Sequence, residues 1–397
     1  MAFIKTPNIL LPVSSIDKTK WAVIACDQFT SEPEYWDELK AFVDNAPSTY
    51  HLILPEAYLQ EDPVHRISKI NDNMDLYLRN HIFDEHHGFV LVERQTPYVK
   101  KRLGLVVSID LNEYEFEEGK KGRIRCTEKT VPERIPPRVK IRENALIELP
   151  HVLVLMDDKN QRIIENLYKN KKKLEKLYDF RLNMNGGHLK GYLIKETQSV
   201  IQEIESLSNE MNLIVGDGNH SLASAKVCWE NIKKGLSEEE AKTHPARFAL
   251  VELISLYDEG LTFEPIHRVL YNADYNVITT LKNRLSGNAI LDVYYNNEVT
   301  HIQVPDNPFT AIKEIQEILD EYISRNKYIE IDFVHGLDSL KKIVKNNNDC
   351  VGISMPALKR EMLFPYIETQ GVLPRKSFSL GEAIEKRYYM ESKRIKK

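Results

Sequence analysis

The feature that most constrains the fold is a short apolar run that leads through a glycine-containing turn into an amphipathic segment. Residues 213–215 have the β-branched composition of a strand, and the segment up to residue 235 carries apolar side chains at helical spacing. Gly216 and Gly218, in the turn between them, permit positive φ and a close approach of the backbone. A helix that starts at such a turn presents N–H groups and the positive end of its dipole. The sequence therefore predicts a strand–turn–helix unit with an anion or phosphate site at the turn.

Polar side chains at the same turn add candidate chemistry. Asp217 and His220 place a carboxylate and an imidazole there, and these groups suit a general base, a metal ligand or a phosphate donor. Asn219 and Ser221 complete the turn, and with the two glycines they are the expected phosphate-binding positions. The alternative is an ordinary strand–helix connection in which Asp217 and Asn219 only cap the helix.

Other established motifs fit this chain less well. Ser221 stands where a dinucleotide-binding fingerprint has its third glycine. Residues 186–192 imitate the spacing of a P-loop, but Tyr192 stands where lysine is required. The G-x-S-x-G pattern of Ser-His-Asp hydrolases is absent from the sequence. None of these motif classes therefore assigns a function.

Strand-like and helix-like runs alternate along the chain, which indicates an α/β fold, with a mixed α+β fold as the alternative. Predicted strands include 189–194 and 247–256, where apolar and β-branched residues dominate. Helices are predicted over 159–179 and 379–392, and over about 138–149 after a pair of prolines.

The length of 397 residues predicts two to three domains. We place an N-terminal α/β lobe at 1–150, a lobe with the glycine turn at 151–272, and a C-terminal α/β lobe at 273–397. We expect these parts to pack into one two-lobed body.

Charge and hydropathy exclude two broad classes of partner. The net charge is −5 and the pI is about 6.2, so the basic footprint of a nucleic-acid-binding protein is missing and no nucleic acid is expected. No apolar run approaches the ~20 residues that span a bilayer, and the N-terminus lacks the apolar core of a signal peptide. We therefore expect a cytoplasmic protein without a membrane partner, and the sequence leaves its oligomeric state open.

Several segments resemble, in order, a bacterial and archaeal family known as domain of unknown function 1015. The hallmark of that family is D-G-H-H-R before a small-residue helix, and residues 217–221 here read D-G-N-H-S. Further segments resemble the family's H-E-x-T, P-x-H-R and M-P-x-K-S patterns, at 127–135, 261–270 and 371–379. The chain departs from the hallmark where Ser221 replaces arginine and Asn219 replaces histidine, so an arginine fork for phosphate is missing at this turn.

The hallmark in turn resembles the ParB/sulfiredoxin-like fold, which we expect around residues 189–256. In that group a G-x-H-R-type turn binds nucleotide phosphates, and some members phosphorylate free serine. The family resemblance also implies a place in serine metabolism. It thus implies a nucleotide- or phosphate-handling enzyme with a small-molecule substrate.

Basic residues elsewhere are candidates to replace the missing arginine. Arg138 and Arg142 share a helix face and would clamp a phosphate, or else they form a solvated face paired with nearby acids. Lys376 offers a point charge for phosphate, with an ordinary exposed lysine as the alternative. His267 and Arg268 match the P-x-H-R segment, and strand alternation places them on opposite faces.

Two acidic residues complete the candidate set. Glu128 lies on a predicted loop, and the resemblance implies a catalytic base or magnesium ligand, whereas by itself it reads as a surface acid. Asp27 follows a predicted strand at its carboxyl end, where site residues often lie, with a helix-entry turn as the alternative.

Together these residues predict a phosphotransferase that uses a nucleotide or pyrophosphate and acts on a small hydroxyl substrate such as a serine-like amino acid. Asp217 or His220 would accept the hydroxyl proton, and the basic residues would neutralise the developing charge. Magnesium is expected only by analogy with such reactions. The alternatives are a phosphoester hydrolase in the same pocket and a non-catalytic nucleotide-binding regulator.

Overall fold

The computed structural model describes residues 2–117, 119–208 and 210–396. Its backbone contacts divide the chain into two compact units, Met1–Leu261 with Glu382–Lys397, and Thr262–Gly381. The first unit is thus built from both ends of the chain. The separate lobes at 1–150, 151–272 and 273–397 stay a prediction, because this division by contacts does not test which parts fold on their own.

The strands of the described residues range from two-residue pairings in loops to long strands in two main sheets. In chain order they are β1 (Ile4–Lys5), β2 (Asn8–Pro12), β3 (Val23–Ile24), β4 (Phe83–His87), β5 (Phe89–Gln95), β6 (Arg102–Asp110), β7 (Tyr114–Glu115), β8 (Ile124–Cys126), β9 (Ile147–Glu148), β10 (Leu153–Met156), β11 (Glu175–Arg181), β12 (His188–Ile194), β13 (Leu213–Asp217), β14 (Phe248–Ser255), β15 (Phe263–Tyr271), β16 (Ala289–Tyr295), β17 (Glu298–Val304), β18 (Glu330–His335), β19 (Cys350–Ile353), β20 (Phe378–Leu380), β21 (Tyr388–Tyr389) and β22 (Lys393–Arg394).

The α-helices of the described residues are mostly short. In chain order they are α1 (Lys18–Trp21), α2 (Pro33–Val43), α3 (Pro63–Arg79), α4 (Ile135–Glu143), α5 (Ile163–Lys169), α6 (Gln198–Glu205), α7 (Asn219–Lys233), α8 (Glu238–Thr243), α9 (Tyr275–Arg284), α10 (Pro308–Arg325), α11 (Leu337–Asn346) and α12 (Leu363–Gln370). Among the described residues, none of these helices combines the length and the apolar character that a membrane span requires.

A large mixed sheet forms the centre of the first unit. Its strands lie in the order β11-β12-β5-β6-β14-β10-β13-β8-β7, and β1 pairs with β6. Strands β6 and β14 are buried along their whole length, because both of their faces are covered and apolar residues dominate them. Strand β13 runs antiparallel to β10 and parallel to β8. The mixed α+β fold class is therefore confirmed.

Helix α7 packs beside this sheet because one of its faces is apolar and small. Leu222, Ala223, Ala225, Cys228 and Trp229 are buried on that face. The small side chains in the first two turns of α7 let the helix approach its neighbours closely. Helix α4 is one of these neighbours. The helix that follows the glycine turn is therefore held in a fixed position relative to β13.

The second unit is built around a smaller antiparallel sheet in the order β17-β16-β19-β15-β18, with β20 paired to β15. Helix α10 starts at Pro308, and the Asn307 side chain accepts hydrogen bonds from the backbone N–H groups of Phe309 and Thr310. Helix α11 packs on β15, β18 and β19 and buries Leu340 and Val344.

Three predicted helices differ from the observed elements. Within 159–179 only Ile163–Lys169 is α-helical, and Glu175–Arg181 pairs with β12 as a strand, so tertiary pairing overrides a weak helical pattern. Residues 379–392 form the end of β20, a 3₁₀ turn and β21 instead of a helix. The helix predicted at 138–149 begins at Ile135 and ends at Glu143, with prolines in its first turn, where their missing N–H groups are not needed.

Candidate functional site

The large sheet brings three strand ends to one place. In the β10–β13 pair Leu153 lies opposite Asp217, so the residues just before β10 adjoin the turn after β13. In the β8–β13 pair Cys126 lies opposite Val215, so the segment that follows β8 adjoins the same turn. The strand–turn–helix unit predicted at 212–235 is observed as β13 and α7, and its turn lies at the junction of the three strands.

Gly218 forms the turn, and its geometry requires glycine. It precedes α7 in the left-handed conformation, with φ 82° and ψ 26°. A Cβ atom there would lie 3.0 Å from Val152 Cγ2 and 3.1 Å from Val152 Cα, which is closer than ordinary packing. Among the described residues no side chain caps this end of α7, although Asp217 Oδ1 accepts from the Gly218 N–H at 2.9 Å. The turn thus joins a carboxylate to the start of α7, where the first backbone N–H groups have no carbonyl partner within the helix.

Asn219 fastens the turn to the segment after β8. Its Oδ1 accepts from the Thr127 N–H at 3.3 Å, and its Nδ2 donates to Thr127 Oγ1 at 3.3 Å. The Thr127 hydroxyl donates onward to the Val215 carbonyl at 2.6 Å. Asn219 therefore joins two chain segments, and the capping role considered for it belongs to the backbone of Gly218 instead.

His220 also holds this segment. Its Nε2 accepts from the Val131 N–H at 3.0 Å, so in a neutral imidazole the proton lies on Nδ1. The His220 carbonyl accepts from Ser224 Oγ at 2.7 Å. The contact with Val131 is that of a side chain that positions the loop at 127–131, where the predicted Glu128 is half-buried.

A lysine from the far end of the chain reaches the turn. The Nζ atom of Lys386 lies 3.1 Å from Asp217 Oδ2, and the side chains are 9% and 25% exposed. Strand β21 pairs with β3, and the Ala25 N–H donates to the Arg387 carbonyl at 2.9 Å, which fixes the backbone beside Lys386. The site therefore contains a nearly buried ammonium group within reach of the turn.

His151 forms a second polar cluster next to the first. Its Nδ1 lies 2.9 Å from the Tyr389 hydroxyl, and its Nε2 lies 3.1 Å from Ser221 Oγ. Asp27 Oδ2 is 3.9 Å from the same Nε2. The Cys26 N–H donates to the Tyr389 hydroxyl at 3.1 Å, so the segment after β3 contacts β21 itself.

The electrostatics of this cluster favour an ionised Asp27 and a protonated thiol. Burial by itself raises the pKa of the Asp27 carboxyl, but His151, a hydrogen bond from Gln28 and the charges of Lys386 and Arg138 bring that pKa below its ordinary value. Burial, with the negative charge of Asp27 adding to it, raises the pKa of the Cys26 thiol to about 11. Cys26 is therefore a poor nucleophile at neutral pH.

A cavity of about 150 Å³ opens beside these groups. Polar side chains on its wall include Ser221, His151, Tyr389 and Arg138. The rest of the wall is mainly apolar and is formed by residues such as Leu52, Leu54, Leu59, Met74, Ile141 and Leu222. A small molecule with a polar end and an apolar body matches this lining.

The two arginines predicted as a phosphate clamp already face carboxylates. Arg138 forms an ion pair with Glu56, and both side chains are 17% exposed. Arg142 Nη2 lies 2.5 Å from Glu148 Oε2, whose side chain is only 3% exposed. Arg138 and Glu56 both line the cavity wall, whereas Arg142 neutralises a buried acid, and the clamp stays a prediction for both arginines.

Three predicted residues lie in the second unit. His267 is 4% exposed and accepts from the Met355 N–H at 3.0 Å, and burial lowers its pKa to about 4. Arg268 is fully buried and donates to Gln316 Oε1 at 2.9 Å and to the Lys376 carbonyl at 3.0 Å. These contacts hold the second unit together, and a phosphate-binding role for His267, Arg268 and Lys376 stays a prediction.

Sequence reasoning did not single out His151, Lys386 or Tyr389. The sequence signal for His151 is its position between Pro150 and the apolar run that forms β10. Lys386 and Tyr389 fall in the stretch 379–392, which was predicted as a helix and in which no residue was singled out. Asp27 was expected from its place after a strand, and it adjoins His151.

The donor set for a metal ion is limited. Within 2–117, 119–208 and 210–396, no group of three or more His, Cys, Asp or Glu side chains is arranged to hold one. The magnesium ion expected by analogy therefore lacks a protein cage of that kind among these residues.

Comparison with known proteins gives one family match. The model of the family described as "Protein of unknown function (DUF1015)" matches residues 10–337. A search of curated proteins gives no significant match.

Solved structures give distant likenesses. A conserved hypothetical protein from Pyrococcus furiosus is 12% identical, with a TM-score of 0.38 over 73% of this chain and 95% of that one. A free serine kinase variant in complex with ADP is 11% identical, with a TM-score of 0.42 over 73% of this chain and 92% of the other. SbnI with a C-terminal truncation, from Staphylococcus aureus, is 8% identical, with a TM-score of 0.38 over 70% and 82% of the two chains. At these TM-scores the likenesses carry no functional argument.

Proposed function

This chain belongs to the DUF1015 family of proteins of unknown function, and we propose that it is a phosphotransferase that handles small molecules. In this proposal a nucleotide or polyphosphate donor places its phosphates at the start of α7. The acceptor is a small molecule with a hydroxyl group, such as a serine-like amino acid. The ParB/sulfiredoxin-like character of residues 189–256 and a place in serine metabolism belong to the same proposal.

The observation that carries the proposal is the meeting of a glycine-turned helix end with the nearly buried ammonium group of Lys386. Helix α7 begins at Asn219 after the left-handed Gly218, and Lys386 Nζ is 3.1 Å from the adjoining Asp217 carboxylate. The backbone amides of a helix start and a positive charge at one place are a common means of binding phosphate oxygens. The turn lacks the family's arginine, and Lys386 offers the positive charge instead.

The proposed roles follow from the contacts. Asp217 is the carboxylate that accepts the proton of the substrate hydroxyl, and Lys386 moves its charge to the phosphoryl oxygens as negative charge develops there. Arg138 adds a second positive charge from the cavity wall when it leaves Glu56. Since the Nε2 lone pair of His220 is taken by Val131, His220 positions the loop at 127–131 in this proposal.

Calorimetry on the full chain tests the binding step. ATP, ADP and pyrophosphate are titrated into the wild type, into Lys386→Met, and into Lys159→Met, whose side chain is 67% exposed and serves as the control. Loss of a charge-assisted hydrogen bond of about 1.5–3 kcal/mol predicts affinity that is about 10-fold weaker or more for Lys386→Met. Equal affinity in all three proteins, or a wild type that binds none of the three ligands, contradicts the proposal.

A second measurement separates the alternatives. Wild type with ATP and a panel of small alcohols is compared with Asp217→Asn, for which we expect retained nucleotide binding and lost phosphoryl transfer. Phosphate release that needs no added alcohol identifies a hydrolase. Nucleotide that binds saturably and never turns over identifies a regulator.

A further inference from the structure

In the cluster around His151, a serine hydroxyl lies beside an imidazole that can activate it. The binding of a nucleotide does not require such an arrangement. Ser221 Oγ is 3.1 Å from Nε2, and the Tyr389 hydroxyl is 2.9 Å from Nδ1. A nucleophile, a base within hydrogen-bonding distance of it, and a third group that orients the base are the three parts of nucleophilic catalysis by serine.

The partners of Tyr389 are consistent with His151 acting as the base. The Cys26 N–H donates to the Tyr389 hydroxyl at 3.1 Å, and this oxygen can accept a second hydrogen bond. When the Nδ1–H of His151 is that second donor, the Nε2 lone pair faces Ser221 Oγ. Asp27 Oδ2, 3.9 Å from Nε2, then stabilises the imidazolium that forms when the proton moves.

The next serine on α7 shows what distinguishes position 221. Ser224 also lies on the cavity wall, but its hydroxyl donates to the His220 carbonyl at 2.7 Å and it is 2% exposed. Ser221 is half-buried, lies one turn closer to the helix start, and shares the cavity wall with Arg138. A group attached to Ser221 Oγ would therefore have both space and a positive charge nearby.

We propose that Ser221 is a covalent nucleophile that carries the phosphoryl group from the donor to the acceptor, with His151 as its general base. This inference rests on the proposed phosphotransferase function and adds an intermediate to it. The replacement of the family's arginine by Ser221 then changes the route of transfer as well as the binding of phosphate.

The chemistry balances in two steps. In the first, Ser221 Oγ bonds to the terminal phosphorus of the nucleoside triphosphate. The bond from that phosphorus to the bridging oxygen breaks, and the nucleoside diphosphate leaves with that oxygen. The serine proton passes to His151 Nε2. In the second, the substrate hydroxyl bonds to the phosphorus, the phosphorus–Oγ bond breaks, and Oγ recovers the proton from His151. The hydroxyl proton passes to Asp217.

Labelling tests the intermediate directly. The full chain is incubated with ATP labelled in its γ-phosphate, without an acceptor, then quenched and digested, and the phosphopeptide is located by mass spectrometry. We expect phosphoserine at position 221 in the wild type and in Ser224→Ala, and none in Ser221→Ala. Because general-base catalysis contributes about 10²–10⁴-fold, His151→Gln should label at least about 100-fold more slowly. Nucleotide affinity and thermal unfolding of each variant show that it is folded.

A fluorophosphonate probe tests the nucleophile without any nucleotide. We expect it to modify Ser221 in the wild type and to react far more slowly with His151→Gln. Transfer from ATP to an alcohol by Ser221→Ala at the wild-type rate would overturn the inference and leave the proposed function standing. If neither the wild type nor any variant binds nucleotide, the proposed function and the phosphoryl transfer through Ser221 both fail. Modification of Ser221 by the probe would in that case support only the activation of its hydroxyl by His151. A wild type that neither reagent labels refutes it.

Discussion

Replacing Gly218 by alanine tests the turn on which the site depends. A residue other than glycine costs about 1–2 kcal/mol in the left-handed region, where Gly218 lies with φ 82°. The new Cβ would also lie 3.0 Å from Val152 Cγ2 and 3.1 Å from its Cα, and such overpacking typically costs about 1–3 kcal/mol. We therefore expect Gly218→Ala to lower the free energy of unfolding by about 2–5 kcal/mol, and Tm by about 4–10 °C, at about 2 °C per kcal/mol for a unit of this size.

Two glycines of the same chain separate these contributions. Gly119 has φ 81° with no heavy atom within 4 Å of the added Cβ, so Gly119→Ala carries only the cost of the backbone conformation. Gly235 is outside the left-handed region and meets only the Ile232 carbonyl oxygen, at 3.8 Å, so Gly235→Ala should be close to neutral. Urea unfolding, followed by circular dichroism, gives the change in the free energy of unfolding for Gly218→Ala, Gly119→Ala and Gly235→Ala. Gly218→Ala with the stability of Gly235→Ala would refute the reasoning about this turn, and nucleotide affinity measured on the same samples shows whether the turn also positions phosphate.

Further predictions concern charges and caps away from the turn. Arg142→Met removes the closest cation of the Glu148 carboxylate, which is 3% exposed, and leaves Lys393 Nζ 3.4 Å away as its remaining cation, so we expect a loss of about 1–3 kcal/mol in the free energy of unfolding, measured by urea titration. Burial lowers the pKa of His267 from 6.5 to about 4, so as the pH falls the unfolded chain takes up this proton at a higher pH than the folded chain does. Stability should therefore fall as pH drops from 6.5 towards 4, and His267→Gln should flatten this part of the profile. Ser237 forms a capping box with Glu240, so Ser237→Ala should cost about 1 kcal/mol in thermal unfolding, and Ser206→Ala, outside that box, close to nothing.

The parts of the fold that were predicted well are those that local patterns determine. The segment after the glycine turn forms α7, and the run at 247–256 forms β14, because helical spacing and continuous apolar character act within a few residues. The segment Glu175–Arg181 shows the opposite case. Its sequence favours a helix only weakly, and pairing with β12 decides its conformation. Periodicity cannot report a partner strand that lies elsewhere in the chain.

The residues of the candidate site also divide into those that a local pattern predicts and those that only strand pairing brings together. Asp217, Gly218 and His220 were predicted as site residues because a strand, two glycines and a helix signal follow one another directly in the sequence. Lys386 and His151 were missed because each reaches the turn through a strand pairing, β3 with β21 in one case and β10 with β13 in the other. Side chains that are widely separated in sequence become neighbours only after such pairings form.

The sequence by itself determined the glycine turn and its helix, since conformational preferences and apolar spacing are properties of consecutive residues. Tertiary structure alone decided which charges face that turn. The buried guanidinium of Arg387 pairs with Glu252 and Glu391, and this pairing anchors the strand beside Lys386. A buried ion pair is stable only when both partners and their hydrogen bonds are in place. The position of Lys386 is therefore a property of the assembled core and cannot be read from the residues around it.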